Sequence, residues 1–428
     1  MRRQRGSIFV ITLAVLASLV AVLASIAATH HTFVVQEANR LERDRACVAA
    51  EAGIQRALQV LYAQASGTGG SSTSTSTAAS TSGAITQNDE WYTFGQKGAE
   101  TFVLGNSSFR IEIVDLASRV NLNTATQQQL ERLPLTTEQI ESILDFREPG
   151  QELRPEGGKD QFYNELAQPY NAKLRAFDTL DELLQVKGFT PQVLYEPQTD
   201  VVNSATAAQG STDEQPALAD IATVYSYSPE TTPTGEAKIN LNGGDQQQKL
   251  QRLVQAGIPQ QVAQQISSQN YPTLGQLFTS VQGITQDMQR ILLDNATTTA
   301  EPRRAGRINL NTATEFALNS VPGLTPDIVQ SILQRQTEGF ASLGDIIAIP
   351  GITGEALQQV DLFSASSQTF LIRVIGSSGG ARVALEAIVD IQEGTPKIVQ
   401  MQEPPYNDYI ERWLWNDETS ETTLKEPE

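Results

Sequence analysis

The sequence predicts an α+β protein. It combines a long N-terminal transmembrane and stem α-helix, a small antiparallel sheet, and a large all-α domain of helix-hairpin-helix (SAM-like) repeats inserted into that sheet. Three observations predict this. An uncharged stretch, Ser7 to Thr29, runs into helical sequence as far as Tyr62. Strand-forming segments flank a long middle region. That middle region repeats one string three times: RVNLNTATQQQL (Arg119–Leu130), KINLNGGDQQQKL (Lys238–Leu250) and RINLNTATEFAL (Arg307–Leu318).

Residues 1–6 read MRRQRG, placing Arg2, Arg3 and Arg5 directly before the apolar run. A helical membrane crossing takes about 20 apolar residues, and flanking basic residues stay on the cytoplasmic side. The segment therefore predicts a single-pass anchor with the remainder exported. A cleaved secretory signal would be followed by a change of character. Here Phe33–Tyr62 continues with no proline and only Gly53, predicting one helix over 7–62, roughly 80 Å long at 1.5 Å per residue.

Ser66–Ser82 is almost entirely Ser, Thr, Gly and Ala. It offers too little apolar surface to offset its ordering entropy, so 63–90 reads as a linker. Trp91–Phe94, Thr101–Leu104 and Phe109–Val114 carry strand-type residues and form the first part of the sheet, 91–118. The last part, 364–403, contains Thr369–Ile375 and Ala381–Ile391 around the turn Gly376–Gly380, then Lys397–Met401. An acidic tail, 404–428, begins with the aromatic segment Tyr406–Trp415, which docks on the sheet or on a partner.

The repeats divide the middle into helical modules at 119–197, 237–297 and 298–363, with a linker at 198–236. Each opens with an extended Asn-Leu-Asn segment leading into a helix, with Thr124, Asp245 and Thr312 as N-cap candidates. Inside them VPGLTPDIVQSIL (Val321–Leu333) and IPGITGEALQQV (Ile349–Val360) read as helical hairpins with Pro-Gly turns. VKGFTPQVL (Val186–Leu194), VQGITQDMQRIL (Val281–Leu292) and LPLTTEQIESIL (Leu133–Leu144) are related forms.

Composition narrows function. Cys47 is the only cysteine, and His30 and His31 are the only histidines, so intrachain disulfides, thiolate zinc sites and histidine-based catalytic arrangements have no basis. No enzymatic constellation stands out. Hairpins of this kind can hold DNA phosphates on backbone N–H groups. Here the net charge is -19, and Arg119–Phe363 holds 16 Lys/Arg against 29 Asp/Glu. Such a field repels phosphates, and the sequence predicts no nucleic-acid partner.

The basic leader ending in Gly6 against the apolar run resembles the processing site of type IV pilins and type II secretion pseudopilins. Position 11, the fifth after that glycine, is Ile11, where most of those proteins have glutamate. The strings ILDFREPGQELRPEGGKDQFYNEL (Ile143–Leu166) and PYNAKLRAFDTLDELLQVKGFTPQVL (Pro169–Leu194) are similar to the first helical repeat of the pseudopilin K family. The resemblance implies cleavage after Gly6 by a prepilin peptidase and methylation of Ser7. It implies an inner-membrane protein with a periplasmic domain at the tip of the secretion pseudopilus, where Ile11 fits a first subunit. Its implied partners are the I- and J-type minor pseudopilins and the major pseudopilin. The resemblance also implies calcium in this domain, with Asp145, Glu148 and Asp160 as candidate ligands near Glu152 and Glu156; a solvated acidic loop is the other reading of those residues. The alternative function is a membrane-anchored helix-hairpin-helix DNA-binding protein of competence. Set against the pseudopilin K family, Lys238–Asn295 is an additional repeat.

Overall fold

The computed structural model describes residues 5–66, 83–150, 152–197, 215–404, 413 and 415. The stem helix α1 runs Arg5–Ala65, slightly beyond the expected 7–62. The sheet has five antiparallel strands in sequence order: β1 (Phe102–Leu104), β2 (Ser107–Asp115), β3 (Thr369–Ser378), β4 (Ala381–Gln392) and β5 (Thr395–Gln402). β2 and β3 are neighbours although residues 116–368 separate them in sequence, so the whole helical region is an insertion between two paired strands. The expected fold class holds.

Strand alternation decides which face the stem covers. Phe109, Ile111 and Ile113 of β2, Phe370, Ile372 and Val374 of β3, and Val383, Leu385 and Val389 of β4 are buried in one cluster with Ala46, Ala49, Ala50, Ile54, Ala57 and Leu61 of α1. These α1 residues recur every three or four positions, the spacing of a single helical face. Four of the six are alanines, whose small side chains let the helix lie close to the sheet. A Cβ on Gly376 would come within 2.0 Å of the Ala46 carbonyl oxygen, so no larger residue fits there without moving α1.

Two strand expectations change. Trp91–Phe94 is not a strand: Glu90–Thr93 is a helical turn with Trp91 buried against Phe370, their ring centroids 5.1 Å apart. Burial of the indole overrides the local β preference. The expected five-residue turn at 376–380 shrinks to Gly379 and Gly380, because β3 and β4 stay paired through Ser378 and Ala381.

The inserted modules are not purely helical. Each opens and closes with a two-residue parallel pair: Val120–Asn121 with Ala222–Thr223, Ile239–Asn240 with Ala296–Thr297, and Ile308–Asn309 with Phe363–Ser364. The first module thus closes inside the segment expected to be a linker. From Leu218 that segment forms a helical turn, a strand and part of the core, with Leu218, Ile221 and Ala222 buried.

The second asparagine of each repeat locks its module. Asn311 Nδ2 donates to the carbonyls of Phe340 and Ala365, while its Oδ1 accepts from Phe340 N at 2.6 Å. Asn123 does the same with Phe177 and Val224, and Asn242 with Tyr271 and Thr298. The leading cation completes the pattern. Arg119, Lys238 and Arg307 donate to the carbonyls of Ala219, Leu293 and Asp361, at the end of each closing helical segment, where helix-end carbonyls lack intrahelical donors.

The N-caps sit two residues later than expected in modules one and three, at Thr126 and Thr314, whereas Asp245 caps as expected. Thr124 and Thr312 instead bond Asn121 O and the Asp115 carboxylate. Asp115, the last residue of β2, fixes the third module to the sheet: its Oδ2 accepts from Asn309 Nδ2 at 2.8 Å and Thr312 Oγ1 at 2.6 Å. Its burial pushes the carboxyl above the usual range.

Candidate functional site

Three regions bear on function: the start of α1, the hairpin turns, and the acidic loop after Arg147. Among the described residues α1 is the one helix long and apolar enough to cross a membrane. Its large apolar side chains from Phe9 to Ile26 are exposed, Ile11 included, so nothing among the described residues covers them. Gly6 and Ser7 lie in the first helical turns. Residues 1–4 of the leader fall outside the described residues.

The hairpin turns are built for packing. In the third module a Cβ on Gly323 would come within 2.9 Å of Ala356 N and the Glu355 carbonyl carbon, and one on Gly351 would meet the Ile328 side chain at 3.0 Å. Each turn thus seats against the helix following the other. Four of the five helices that follow the hairpin turns carry an acid in their first turn, Glu138, Asp287, Asp327 and Glu355, the exception being Pro191–Tyr195. Carboxylates there complement the helix dipole and occupy the region where a phosphate would bind.

The acidic loop is an ion-pair cluster. Arg154 Nη1 lies 2.7 Å from Asp145 Oδ1 and its Nη2 lies 2.6 Å from Glu148 Oε2. Lys159 Nζ donates to the backbone oxygens of Asp145 and Glu148 at 2.7 and 3.1 Å. Asp160 turns away to accept from Ala172 N at 2.8 Å. Calcium takes six to eight oxygen ligands. Here two cations already occupy the oxygens, and the described residues contain no group of three acidic, His or Cys side chains that could hold a metal ion. Asp145, Glu148 and Asp160 do not fit a calcium site. Arg154 and Lys159 lie within the string that carries the acids, so counting cations along with acids would have indicated this.

Residues 110–197 match the family model described as type II secretion system (T2SS), protein K. This part of the chain is similar to protein K. The resemblance read from Ile143–Leu194 falls inside this match and is borne out. Residues 304–363, essentially the third module, match a helix-hairpin-helix motif model. Among solved structures, the chain is similar to one from the crystal structure of the GspK-GspI-GspJ complex of the enterotoxigenic Escherichia coli type 2 secretion system. That likeness has a TM-score of 0.49 and 12% identity, and covers 87% of this chain and 100% of the other. No curated protein matches. The matched residues span the end of β2 and most of the first module. The sequence therefore located this region, but not the Asn123 lock that holds the first module together.

Proposed function

We propose that this chain is a minor pseudopilin at the tip of a type II secretion pseudopilus, a structural rather than catalytic subunit that initiates or caps assembly. The observation that carries the reading is the protein K match over residues 110–197. The exposed apolar start of α1 supports anchoring in the inner membrane, with the sheet and modules in the periplasm. In this reading a prepilin peptidase cuts after Gly6, Ser7 becomes the methylated N-terminus, and I- and J-type minor pseudopilins are neighbours, with the major pseudopilin behind them. Ile11 suits a first subunit: an unpaired carboxylate there would cost about 2.5–3.5 kcal/mol in the bilayer, with no subunit ahead to pair it. The test is the copy number of the protein in isolated pseudopili, together with its intact mass. One or a few copies per filament and a mass lacking residues 1–6 are expected. Many copies along the filament would overturn the tip assignment, and cleavage beyond the apolar run would overturn the pseudopilin reading.

The helix-hairpin-helix match favours one other reading, sequence-independent DNA binding. The acids at the hairpin helix starts and the net charge oppose it.

A further inference from the structure

The openings of the second and third modules meet at a buried cluster of charge. Glu230, 4% exposed, lies between two guanidiniums, with Arg304 Nε at 3.1 Å and Arg307 Nη2 at 3.0 Å. Asp361 answers the same pair: Arg304 Nη1 lies 3.1 Å from its Oδ1, and Arg307 Nε donates to its backbone oxygen at 3.1 Å. The two arginines therefore have two carboxylates. Lys238, the third cation, forms no ion pair among the described residues. Its Nζ donates to Leu293 O at 2.8 Å, which uses one of its three N–H donors. Burial, and then the neighbouring Arg307, hold this ammonium down to about 8.

Lys238 and Arg307 line one cavity of about 40 Å³, together with Asp294, Ser364 and Ser366. At about 10–15 Å³ per water it has room for roughly three waters, which fill about 90 Å³ in the liquid. A tetrahedral oxyanion fits such a space. Arg307 is 3% exposed, and its Nη1 makes no hydrogen bond among the described residues. The hydroxyl oxygens of Ser364 and Ser366 lie 3.5 Å apart, and hydroxyl hydrogens rotate to suit an acceptor. Asp294 is the one carboxyl among the lining residues. It is already engaged, accepting from Gly344 N at 2.8 Å, and burial pushes it above the usual range, towards its neutral form.

We infer that this cavity binds a tetrahedral oxyanion of the phosphate or sulfate class, held by Arg307 Nη1, Lys238 Nζ and the hydroxyls of Ser364 and Ser366. The anion supplies what the cluster lacks, a negative charge beside two buried cations that repel one another. Charge-assisted hydrogen bonds to such an anion are stronger than neutral ones. Lys238 precedes the first strand of the second module and Arg307 that of the third, so the anion ties the two openings together.

The test is titration calorimetry of the detergent-solubilised full chain with sodium sulfate, against sodium chloride at equal ionic strength. Saturable binding of one sulfate per chain is expected. Hydrogen exchange of the peptides spanning Lys238 and Arg307 should slow about tenfold at ten times the Kd. Sulfate keeps its charge, so its affinity should fall about tenfold between pH 7 and pH 9 as Lys238 loses its proton. Lys238→Arg, which places there the residue that opens the other two modules, should bind sulfate without that fall. Lys238→Met should bind at least about tenfold more weakly. Ser366→Ala, at a half-buried position away from the ion pairs, should leave the melt unchanged and weaken binding severalfold. An equal response to chloride, an affinity indifferent to pH, or undiminished affinity in Lys238→Met would each overturn the site. If Lys238→Met does not fold, undiminished affinity in Ser366→Ala would do so instead. Acetate binding as tightly as sulfate would overturn the tetrahedral assignment.

Discussion

The three asparagine locks make the same three hydrogen bonds at different depths, so replacing each with alanine isolates the effect of burial. Asn311 is fully buried, Asn123 half-buried and Asn242 exposed. In Asn311→Ala the N–H and C=O of Phe340 both lose their partner, whereas the Ala365 carbonyl still accepts from Ile85 N at 3.0 Å. Two orphaned buried groups at about 1–3 kcal/mol each predict a loss of about 2–6 kcal/mol. In Asn242→Ala water can reach the freed groups of Tyr271 and Thr298, so the loss should stay near the net worth of ordinary hydrogen bonds, about 0.5–1.5 kcal/mol. Asn123→Ala should fall between. Because the modules can open separately, the assay is hydrogen exchange of the peptides containing Phe340, Phe177 and Tyr271, alongside urea midpoints. Equal losses at Asn311 and Asn242 would refute the burial argument. So would a loss at Asn311 unaccompanied by faster exchange at Phe340.

Gly376→Val should destabilise the contact between α1 and the sheet by about 1–3 kcal/mol or more, read as a lower urea midpoint with the helical modules' exchange unchanged. Lys238, beside Arg307 and Asp294, is held down to about 8 chiefly by burial and then by Arg307. Between about pH 8 and 10.4 the unfolded chain binds a proton that the folded chain has released, so this group makes stability rise with pH there, by at most about 3 kcal/mol. Lys238→Met should remove that rise, measured as the difference in urea midpoint between pH 7.5 and 9.5. The detergent-solubilised full chain should not bind duplex DNA measurably at physiological salt; micromolar binding that weakens steeply with salt would promote the DNA reading.

What the sequence disclosed was whatever is written in long patterns. The apolar run from Ser7 and the alternation of Phe109, Ile111 and Ile113 have enough residues to establish a period, and the repeated Asn-Leu-Asn strings mark the module openings. The closing strands were invisible because two residues have no period. A signal did exist in the resemblance of Leu218–Val224 (LADIATV) to Leu292–Thr298 (LLDNATT), which places the end of the first module well past 197. Trp91 packs on Phe370 and the left-handed turn Gly95–Gly98 lies against Trp415, about 280 and 320 residues away in the chain, and local propensity carries no information about such partners. The acids of the loop were legible as acids. Which of them face a guanidinium depended on how the chain folds back at Arg154.

Because each module begins and ends on adjacent parallel strands, its entry and exit lie only about 4.8 Å apart. A segment closed in this way can be spliced into a host or lost from it while the flanking chain barely moves. One level up, the neighbouring ends of the antiparallel strands β2 and β3 receive the entire helical region between them. The chain is therefore nested, with loops that are themselves closed units. The second module, Lys238 to Thr298, is the kind of part such an architecture gains by duplication, so related chains should differ by whole modules rather than by gradual changes in loop length.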